Sequence, residues 1–577
     1  MDKRSSTQLT KYCELKEKLS SIISAEMKRH KITGVSIAVN DDGKTVWSEG
    51  FGYSDKEERI AATPHTVYRI GSITKVFTAT AIMQLVEHGL LDLDKPVSDY
   101  LPEFTINTRF TQSKSITIRD LMTHHSGLPS DNLNGFYTRS AYEMPERFSS
   151  ALDYLKNAYT SYSNGLVYSY SNLGISLLGI VVERITGMKY EDYIENNICK
   201  PLGMNQTSFE YSPGKDRLLS KGYNKGKGEY EVQMRDLPAG GLQSTALDMS
   251  KFLSFTLGLG ISDNGNVLKH ETLSKMFEVQ NMDNPIDFNF KTGLNWILSW
   301  PSLEYAGKVA WHDGGSIHYT SLLAIMPDYG FGVTVLTNSV RGAHLNHRVT
   351  DEALKYLVLL KNGIVVPETN IPFDIVITEK QSKEVIGKYA TISGLVEITN
   401  KNQILKTKMN GRLLRMVPQN DGWFSLQLLL FGLIPIKLKQ LNNIRIAVRK
   451  TNLDRIMGIE QTIGQNKFAQ VMGMEYSPTP TPTPQTWINA AGGYKAKKDN
   501  QFLNAFELVN SNGMLSLKAS VRKLKSINFI LKPISNSEAV IQGLGRFAGE
   551  TVILKEREGV VIINISGLDF VKWTPKG

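Results

Sequence analysis

Ser72 and Lys75 have the spacing of a nucleophile and its base on one face of a helix. Residues i and i+3 of a helix are neighbours, so the lysine amine can reach the serine hydroxyl. A serine needs an adjacent base because its hydroxyl is a weak nucleophile at its own pKa. The beginning of a helix also offers backbone N–H groups where an oxyanion forms. The pair therefore indicates acyl transfer through a covalent serine intermediate.

The Ser-x-x-Lys pattern occurs at two further places, so it is weak when taken alone. Segment 212–215 contains a proline and a glycine, which do not fit a regular helix. Segment 520–523 lies in a strand-like part of the chain. The assignment of Ser72 therefore depends on the motifs that accompany it.

Several motifs accompany Ser72 in one order along the chain. They are Tyr68-Arg69-Ile70-Gly71-Ser72-Ile73-Thr74-Lys75, Ile118-Arg119-Asp120-Leu121-Met122-Thr123-His124-His125-Ser126-Gly127-Leu128, Tyr170-Ser171-Asn172, Pro201-Leu202-Gly203-Met204, Pro238-Ala239-Gly240-Gly241-Leu242 and His312-Asp313-Gly314. The set resembles the class C β-lactamase and esterase branch of the serine β-lactamase and penicillin-binding-protein superfamily. The resemblance covers about residues 20 to 360.

The resemblance implies a role for each matching residue. Ser72 is the nucleophile, and Lys75 and Tyr170 share the proton transfers. A lysine close to a tyrosine favours the phenolate, so we expect Tyr170 to be partly ionised. Which of the two groups accepts the proton of Ser72 is open. Asn172 is expected to hydrogen-bond Lys75 or the substrate amide.

The segment His312-Asp313-Gly314 takes the place of the Lys-Thr-Gly strand of the β-lactamases. The resemblance implies that His312 and Gly314 line the substrate cleft, and that the N–H groups of Ser72 and Gly315 form the oxyanion hole. Histidine is largely neutral near pH 7, so a fixed positive charge for a substrate carboxylate is missing from this position. Members with His-x-Gly resemble esterases, D-aminopeptidases and related amide hydrolases.

Alternating and helical patterns supply the elements that must position these residues. Helices are predicted over 11–30, 72–89 and 346–360, and strands over 34–40, 44–53, 308–312, 320–326 and 332–337. The expected fold is α+β, with an antiparallel sheet flanked by the first and last helices and a helical lobe inserted between them. This β-lactamase-like serine hydrolase domain is predicted to span residues 1–365.

The chain after Pro372 has short strands and frequent turns. Two stretches, 386–389 and 491–494, open similar units on either side of a Pro/Thr run. We predict a lipocalin-like β-barrel over 366–476, a linker over 477–486 and a second barrel over 487–577, while one larger barrel stays open as the alternative. The D-aminopeptidase branch is similar in carrying two small barrels, and there a barrel loop reaches the active site.

Composition narrows the functional classes. The net charge is +10, and residues 379–577 carry 28 Lys and Arg against 14 Asp and Glu. Complementary packing between domains explains this asymmetry better than an anionic surface, and the scattered basic residues argue against nucleic acid. Two cysteines exclude a disulfide framework and a four-cysteine zinc site. No secretory signal or spanning segment is visible, so a cytoplasmic location is expected.

The leading hypothesis is an amidohydrolase or peptidase that acylates Ser72 and cleaves small peptides, with D-residues as an open option. A carboxylesterase or β-lactamase of the class C-like branch is the nearest alternative. A non-catalytic penicillin-binding-like recognition protein belongs to a different class, and the complete set of Ser72, Lys75 and Tyr170 argues against it. Neither a cofactor nor a metal is required, and a homo-oligomer is left open.

Overall fold

A computed structural model describes most of the chain and divides into a mixed α/β unit followed by two β-barrels. The described residues are 3–212, 218–224, 226–259, 267–282, 284–367, 372–409, 411–430, 434–436, 438, 441–451, 454–463, 465–477, 482–498, 503–521 and 524–573. Within these ranges, no helix has both the length and the apolar character that crossing a membrane requires. The Ser-x-x-Lys pattern at 212–215, the one at 520–523 and residues 478–481 of the Pro/Thr run fall wholly or partly outside the described residues.

The first unit is built around a six-stranded antiparallel sheet. Its strands and the short pairs beside it are β1 (Gly34–Asp41), β2 (Lys44–Asp55), β3 (Ile60–Ala61), β4 (Tyr68–Arg69), β5 (Gly222–Asn224), β6 (Lys227–Glu229), β7 (Gln243–Ser244), β8 (Ala310–Gly315), β9 (Thr320–Met326) and β10 (Phe331–Thr337). The order is β3-β2-β1-β10-β9-β8, which places the His312 strand at an edge. Every residue of β1, β9 and β10 is buried, so both faces of the central sheet are covered.

Helices cover the two faces of this sheet. They are α1 (Lys3–His30), α2 (Thr74–Glu87), α3 (Val97–Tyr100), α4 (Ile118–Met122), α5 (Ala151–Leu155), α6 (Asn172–Thr186), α7 (Tyr190–Ile194), α8 (Leu237–Gly240), α9 (Ala246–Thr256), α10 (His270–Lys275) and α11 (Ala343–Asn362). The first and last of them pack together on one face through apolar residues such as Leu19 and Leu354. The helices between α2 and α10 form the larger core with the other face.

This arrangement confirms the α+β fold predicted from the sequence, with the flanking helices and the inserted helical lobe. One detail of the prediction is wrong. Ser72 lies in a single 3-10 turn, Gly71–Ile73, and the α-helix begins only at Thr74. β8 passes directly beside this turn. Gly71 has a φ of +53°, and an added Cβ would lie 2.8 Å from the Gly315 nitrogen, so the position requires glycine.

Two eight-stranded barrels follow, as predicted, and they exclude the single larger barrel. The first comprises α12 (Glu379–Val385), β11 (Gly387–Thr391), β12 (Gly394–Lys401), β13 (Ile404–Met409), β14 (Arg412–Pro418), β15 (Phe424–Leu430), β16 (Ile434–Ile436), β17 (Ile444–Lys450), β18 (Arg455–Ile463) and β19 (Asn466–Glu475). It closes by pairing of β14 with β15, while β16 is added outside the ring.

The second barrel is a closed ring in which neighbouring strands follow chain order. It comprises α13 (Gln485–Ala490), β20 (Gly492–Ala496), β21 (Ala505–Ser511), β22 (Met514–Val521), β23 (Leu524–Pro533), β24 (Glu538–Ile541), β25 (Thr551–Arg557), β26 (Val560–Ile565) and β27 (Leu568–Lys572). The connection from β24 to β25, residues 542–550, leaves the barrel and packs on the first unit; we call it the barrel loop.

Candidate active site

Ser72 sits at the tight turn that leads into α2, partly exposed, while the residues after it are buried. The turn is fastened by Thr74, whose Oγ1 donates to the Gly71 carbonyl at 2.7 Å and accepts from the Leu242 N–H at 3.1 Å. Leu242 belongs to the Pro-Ala-Gly-Gly-Leu motif, so that motif helps to hold the turn with Ser72 in place. The serine hydroxyl is thereby presented from a rigid backbone.

Lys75 is fully buried, and its amine lies beside Ser72. Its Nζ lies 3.3 Å from the Ser72 Oγ and donates to the Ala239 carbonyl at 2.5 Å. Burial, the largest cause, and the charge of Arg546 together lower the pKa of Lys75 to about 7, against the opposing effect of nearby aspartates. A substantial fraction of this amine is therefore neutral near pH 7 and able to accept a proton.

Tyr170 lies next to both residues. The Lys75 Nζ is 4.7 Å from the centre of its ring, and its hydroxyl forms a hydrogen bond with Ser72. Burial raises the pKa of Tyr170 above its ordinary value, while the Ser72 hydrogen bond and the charge of Arg546 act in the other direction. The expected partly ionised phenol is therefore wrong: desolvation of the phenolate outweighs the cations, and the phenol keeps its proton at neutral pH.

The strand β8 brings His312, Gly314 and Gly315 to the same place. A Cβ on Gly314 would lie 1.9 Å from the Ile70 carbonyl oxygen, so only glycine permits this approach. Gly315 follows on the exposed side and runs beside Gly71. The backbone segments expected to form the oxyanion hole, at Ser72 and Gly315, are thus brought together.

His312 is buried rather than open to the cleft. Its Nδ1 is 2.6 Å from the Asp313 carbonyl oxygen. Burial and the charge of Lys75 lower the pKa of His312 to about 3, so the imidazole is neutral. This agrees with the expected loss of a fixed cation at this position. The exposed side chain of the segment is that of Asp313, which the sequence reasoning did not single out.

Asn172 begins α6, whose N-cap Ser171 accepts from the Gly174 N–H. The Asn172 Nδ2 donates to Asp131 Oδ1 at 2.6 Å. A hydrogen bond to Lys75 was one of the two expectations for Asn172. Asp131 is buried, and its other oxygen accepts from Arg546 Nη2 at 2.7 Å. Asp131 and Arg546 are therefore site residues that sequence reasoning missed.

Arg546 comes from the barrel loop. Its guanidinium lies 5.2 Å from the centre of the Tyr170 ring, and 42% of its side chain is exposed. One usable signal is present in the sequence, because three glycines in 543–549 indicate a tight excursion between strands. No pattern in the sequence indicates which surface the barrel loop contacts.

His124 packs against Tyr170, and His125 packs against Tyr168. The His124 ring is 4.4 Å from the Tyr170 ring, and its Nδ1 accepts from the Ser171 N–H at 3.2 Å. His125 Nε2 is 2.8 Å from Asp287. Across the described ranges, one group of three side chains has metal-binding spacing, Glu26, His30 and His344 on α1 and α11. Two arginines also contact that glutamate, which makes the group an ion-pair cluster.

Comparison with known proteins agrees with this geometry. A family model described as Beta-lactamase matches residues 19–357. Protein flp of Staphylococcus aureus (strain MRSA252) is 27% identical over 328 residues, which cover 56% of this chain and 62% of that protein. The chain thus spans less than two thirds of that relative. The human serine beta-lactamase-like protein LACTB, mitochondrial, is 28% identical over 51% of this chain and 69% of its own length.

Solved structures extend the similarity into the barrels. The octameric penicillin-binding protein homologue from Pyrococcus abyssi is 27% identical, with a TM-score of 0.53, and covers 79% of this chain and 99% of its own. The crystal structure of SurE with D-Leu covers 80% of this chain and all of its own, at 20% identity and a TM-score of 0.55. At that identity the second similarity bears on the fold alone.

Proposed function

This chain belongs to the beta-lactamase family, and from that premise we propose that it is a serine hydrolase that forms an acyl-enzyme on Ser72 and cleaves amide bonds of small peptides. The observation that carries the proposal is the buried Lys75 amine, 3.3 Å from the Ser72 hydroxyl with its pKa lowered to about 7. Such an amine matches the requirement for a general base near neutral pH. We also propose the domain boundaries predicted from the sequence. The catalytic domain spans 1–365, the first barrel 366–476, the linker 477–486 and the second barrel 487–577.

The pKa directions of Lys75 and Tyr170 support the following division of the proton transfers. The neutral Lys75 amine accepts the Ser72 proton as Oγ attacks the carbonyl carbon of the substrate. The N–H groups of Ser72 and Gly315 stabilise the oxyanion that forms. Tyr170, which carries a proton, donates it to the departing amine and is reprotonated from Lys75. Water then attacks the ester on Ser72 with the same two residues acting in reverse, and this releases the acid.

The barrel loop supports small substrates. Arg546 lies over Tyr170, and Tyr162, behind the loop, donates to the Gly545 carbonyl at 2.8 Å. A cleft narrowed in this way suits a short peptide or an amide better than the interior of a long chain. D-amino acid amides belong in the substrate panel because the resemblance includes the D-aminopeptidase branch.

Ser72→Ala tests the proposal on the full chain. We expect it to lower kcat/KM for amino acid amides and for nitrophenyl esters by at least about a thousandfold, and to remove acylation of the protein as seen by intact-mass spectrometry. Ser212→Ala is the matched control, since Ser212 has the same Ser-x-x-Lys spacing, and it should retain full activity. Unchanged hydrolysis by Ser72→Ala would contradict the proposal.

The same assay separates the alternatives. Matched ester and amide substrates with one acyl group give two values of kcat/KM, and an esterase would cleave the ester alone at a useful rate. Hydrolysis of a penicillin or cephalosporin in preference to both would indicate a β-lactamase. A protein that an active-serine probe fails to label would be a recognition protein.

A further inference from the structure

The described part of the active site holds one cation that is charged at every physiological pH. His312 is neutral, and the Lys75 amine has its pKa lowered to about 7. Arg546 keeps its charge because an arginine does not lose its proton in proteins. Its charge acts on both Lys75 and Tyr170. Arg546 is therefore the lasting positive charge that these residues offer to a negative group near the scissile bond, and the exposed Asp313 acts against it.

The barrel loop holds Arg546 in a fixed position. The Phe547 N–H donates to Ser130 Oγ at 3.2 Å, and the Ser130 N–H donates to Glu550 Oε1 at 3.0 Å. Glu550 Oε2 accepts from Ser566 Oγ at 2.6 Å, which ties the loop back to its own barrel. On the other side of Arg546, the Tyr162 hydroxyl donates to the Gly545 carbonyl at 2.8 Å. The loop is thus fastened on both sides of Arg546, so binding a ligand there would cost little ordering entropy.

The Arg546 guanidinium also has more N–H donors than its hydrogen bond to Asp131 uses. Asp131, itself buried, accepts from Nη2 and from Asn172 with its two oxygens. A guanidinium has five N–H donors in a planar fork and can hold two carboxylates at once. The Arg546 side chain is 42% exposed, which leaves a side from which a ligand can approach it. Asp131 therefore orients Arg546 without using its full binding capacity.

We propose that Arg546, oriented by Asp131, forms a subsite that binds a carboxylate of the substrate, so that the enzyme prefers substrates with a negative charge near the cleaved bond. The inference rests on the proposed function and specifies its substrate class. The second barrel thereby supplies the cation that His312 does not provide on β8. Two sources of the carboxylate fit this chemistry, one in the acyl part of the substrate and one in the leaving group.

Two substrate pairs distinguish the sources. N-succinyl-alanine p-nitroanilide and its succinyl methyl ester differ by a charge in the acyl part. N-acetyl-alanyl-alanine and its C-terminal amide differ by a charge in the leaving group. Each pair is measured with D- and L-alanine. We expect the charged member of one pair to have the higher kcat/KM in the natural enzyme.

Arg546→Gln should lower the charged-to-neutral ratio of kcat/KM for that pair by about tenfold or more, because the charge-assisted hydrogen bonds are lost. The ratio removes any effect of the substitution on Lys75, which is common to both substrates. Arg546→Lys should restore part of the ratio. Arg557→Gln, an exposed arginine of the same barrel, is the matched control and should leave the ratio unchanged. Equal ratios in Arg546→Gln and the natural enzyme, for both pairs, would overturn the inference.

Binding to Ser72→Ala separates this inference from the proposed function. Calorimetry with N-acetyl-alanine and N-acetyl-alaninamide needs no catalysis. We expect the acid to bind more tightly, and the added Arg546→Gln change to raise its Kd by about tenfold. Equal affinities for acid and amide would overturn the subsite even if Ser72 proves catalytic. A preference for the acid would uphold it even if Ser72→Ala keeps its hydrolytic activity.

Discussion

The two barrels share one design and differ in what they contribute to the active site. Each begins with a short helix and a buried tyrosine whose hydroxyl donates to the carbonyl four residues earlier: Tyr389 to Val385 at 2.9 Å and Tyr494 to Ala490 at 2.6 Å. Each closes with eight strands. The similar openings seen in the sequence therefore reflect a repeated structure.

The two barrels differ in the connection between the fifth and sixth strands of the ring. In the second barrel it is the barrel loop, which brings Arg546 to Tyr170. In the first barrel the same connection contains β16, which pairs back on β15 and leaves Ile434 exposed. The first barrel meets the α/β unit elsewhere, with Phe468 against Trp311 and Gly458 against Phe288. The first barrel thus packs on the α/β unit away from the candidate site, and the second barrel contributes a residue to that site.

The largest effect expected from this difference is at Gly549. Its φ is +77°, and a Cβ would lie 2.3 Å from the Ser161 carbonyl oxygen, so Gly549→Ala must displace the barrel loop. We expect kcat/KM to fall by about 100-fold, the cost of a misplacement of about 1 Å at a site. Steady-state kinetics on amide substrates measures it.

Two control variants carry the same backbone strain without the clash. Gly559 in the second barrel and Gly422 in the first have φ of +74° and +81°, and nothing lies within 4 Å of an added Cβ. Gly559→Ala and Gly422→Ala should each cost about 1–2 kcal/mol of stability and leave kcat/KM within a factor of about two. Loss of activity in Gly422→Ala would break the distinction between the barrels.

The first barrel should show the reverse behaviour, a loss of stability without a loss of activity. Arg445 donates from Nε to Glu460 at 2.7 Å and from Nη2 at 2.8 Å, and both side chains are largely buried. Glu460→Gln removes the negative charge from this pair and should lower the free energy of unfolding by about 1.5–3 kcal/mol. Urea unfolding measures the loss, and kcat/KM at 25 °C should stay unchanged. A parallel fall in kcat/KM would mean that the first barrel also shapes the site.

Sequence reasoning reached the α/β unit and Ser72 because their signals are local. The motifs, the strand patterns over 34–40 and 44–53 and the two similar barrel openings each lie in short stretches of chain. The contact of Asp131 with Arg546 joins residues 415 positions apart and depends on how one unit packs on another. No local pattern records such packing, so both residues were missed.

The protonation states of Lys75 and Tyr170 could not be predicted from the sequence for a related reason. Motifs place Lys75 and Tyr170 side by side, and proximity alone suggests an ionised phenol. Burial decides the matter, because it disfavours the charged form of each group: it lowers the pKa of the lysine and raises that of the tyrosine. Burial follows from the complete fold, including the barrel loop above these residues.

The smallest expected effect is also the most direct measure of the second barrel's electrostatic contribution. Lys75 accepts a proton only when neutral, so kcat/KM for a neutral amide should rise with pH through about 7. Arg546 lowers the pKa of Lys75, and Arg546→Gln should therefore move this rise to higher pH. Arg449→Gln in the first barrel removes an equal charge and should leave the profile in place. If both variants shift the profile alike, the effect comes from net charge, and the barrels would not differ in this respect.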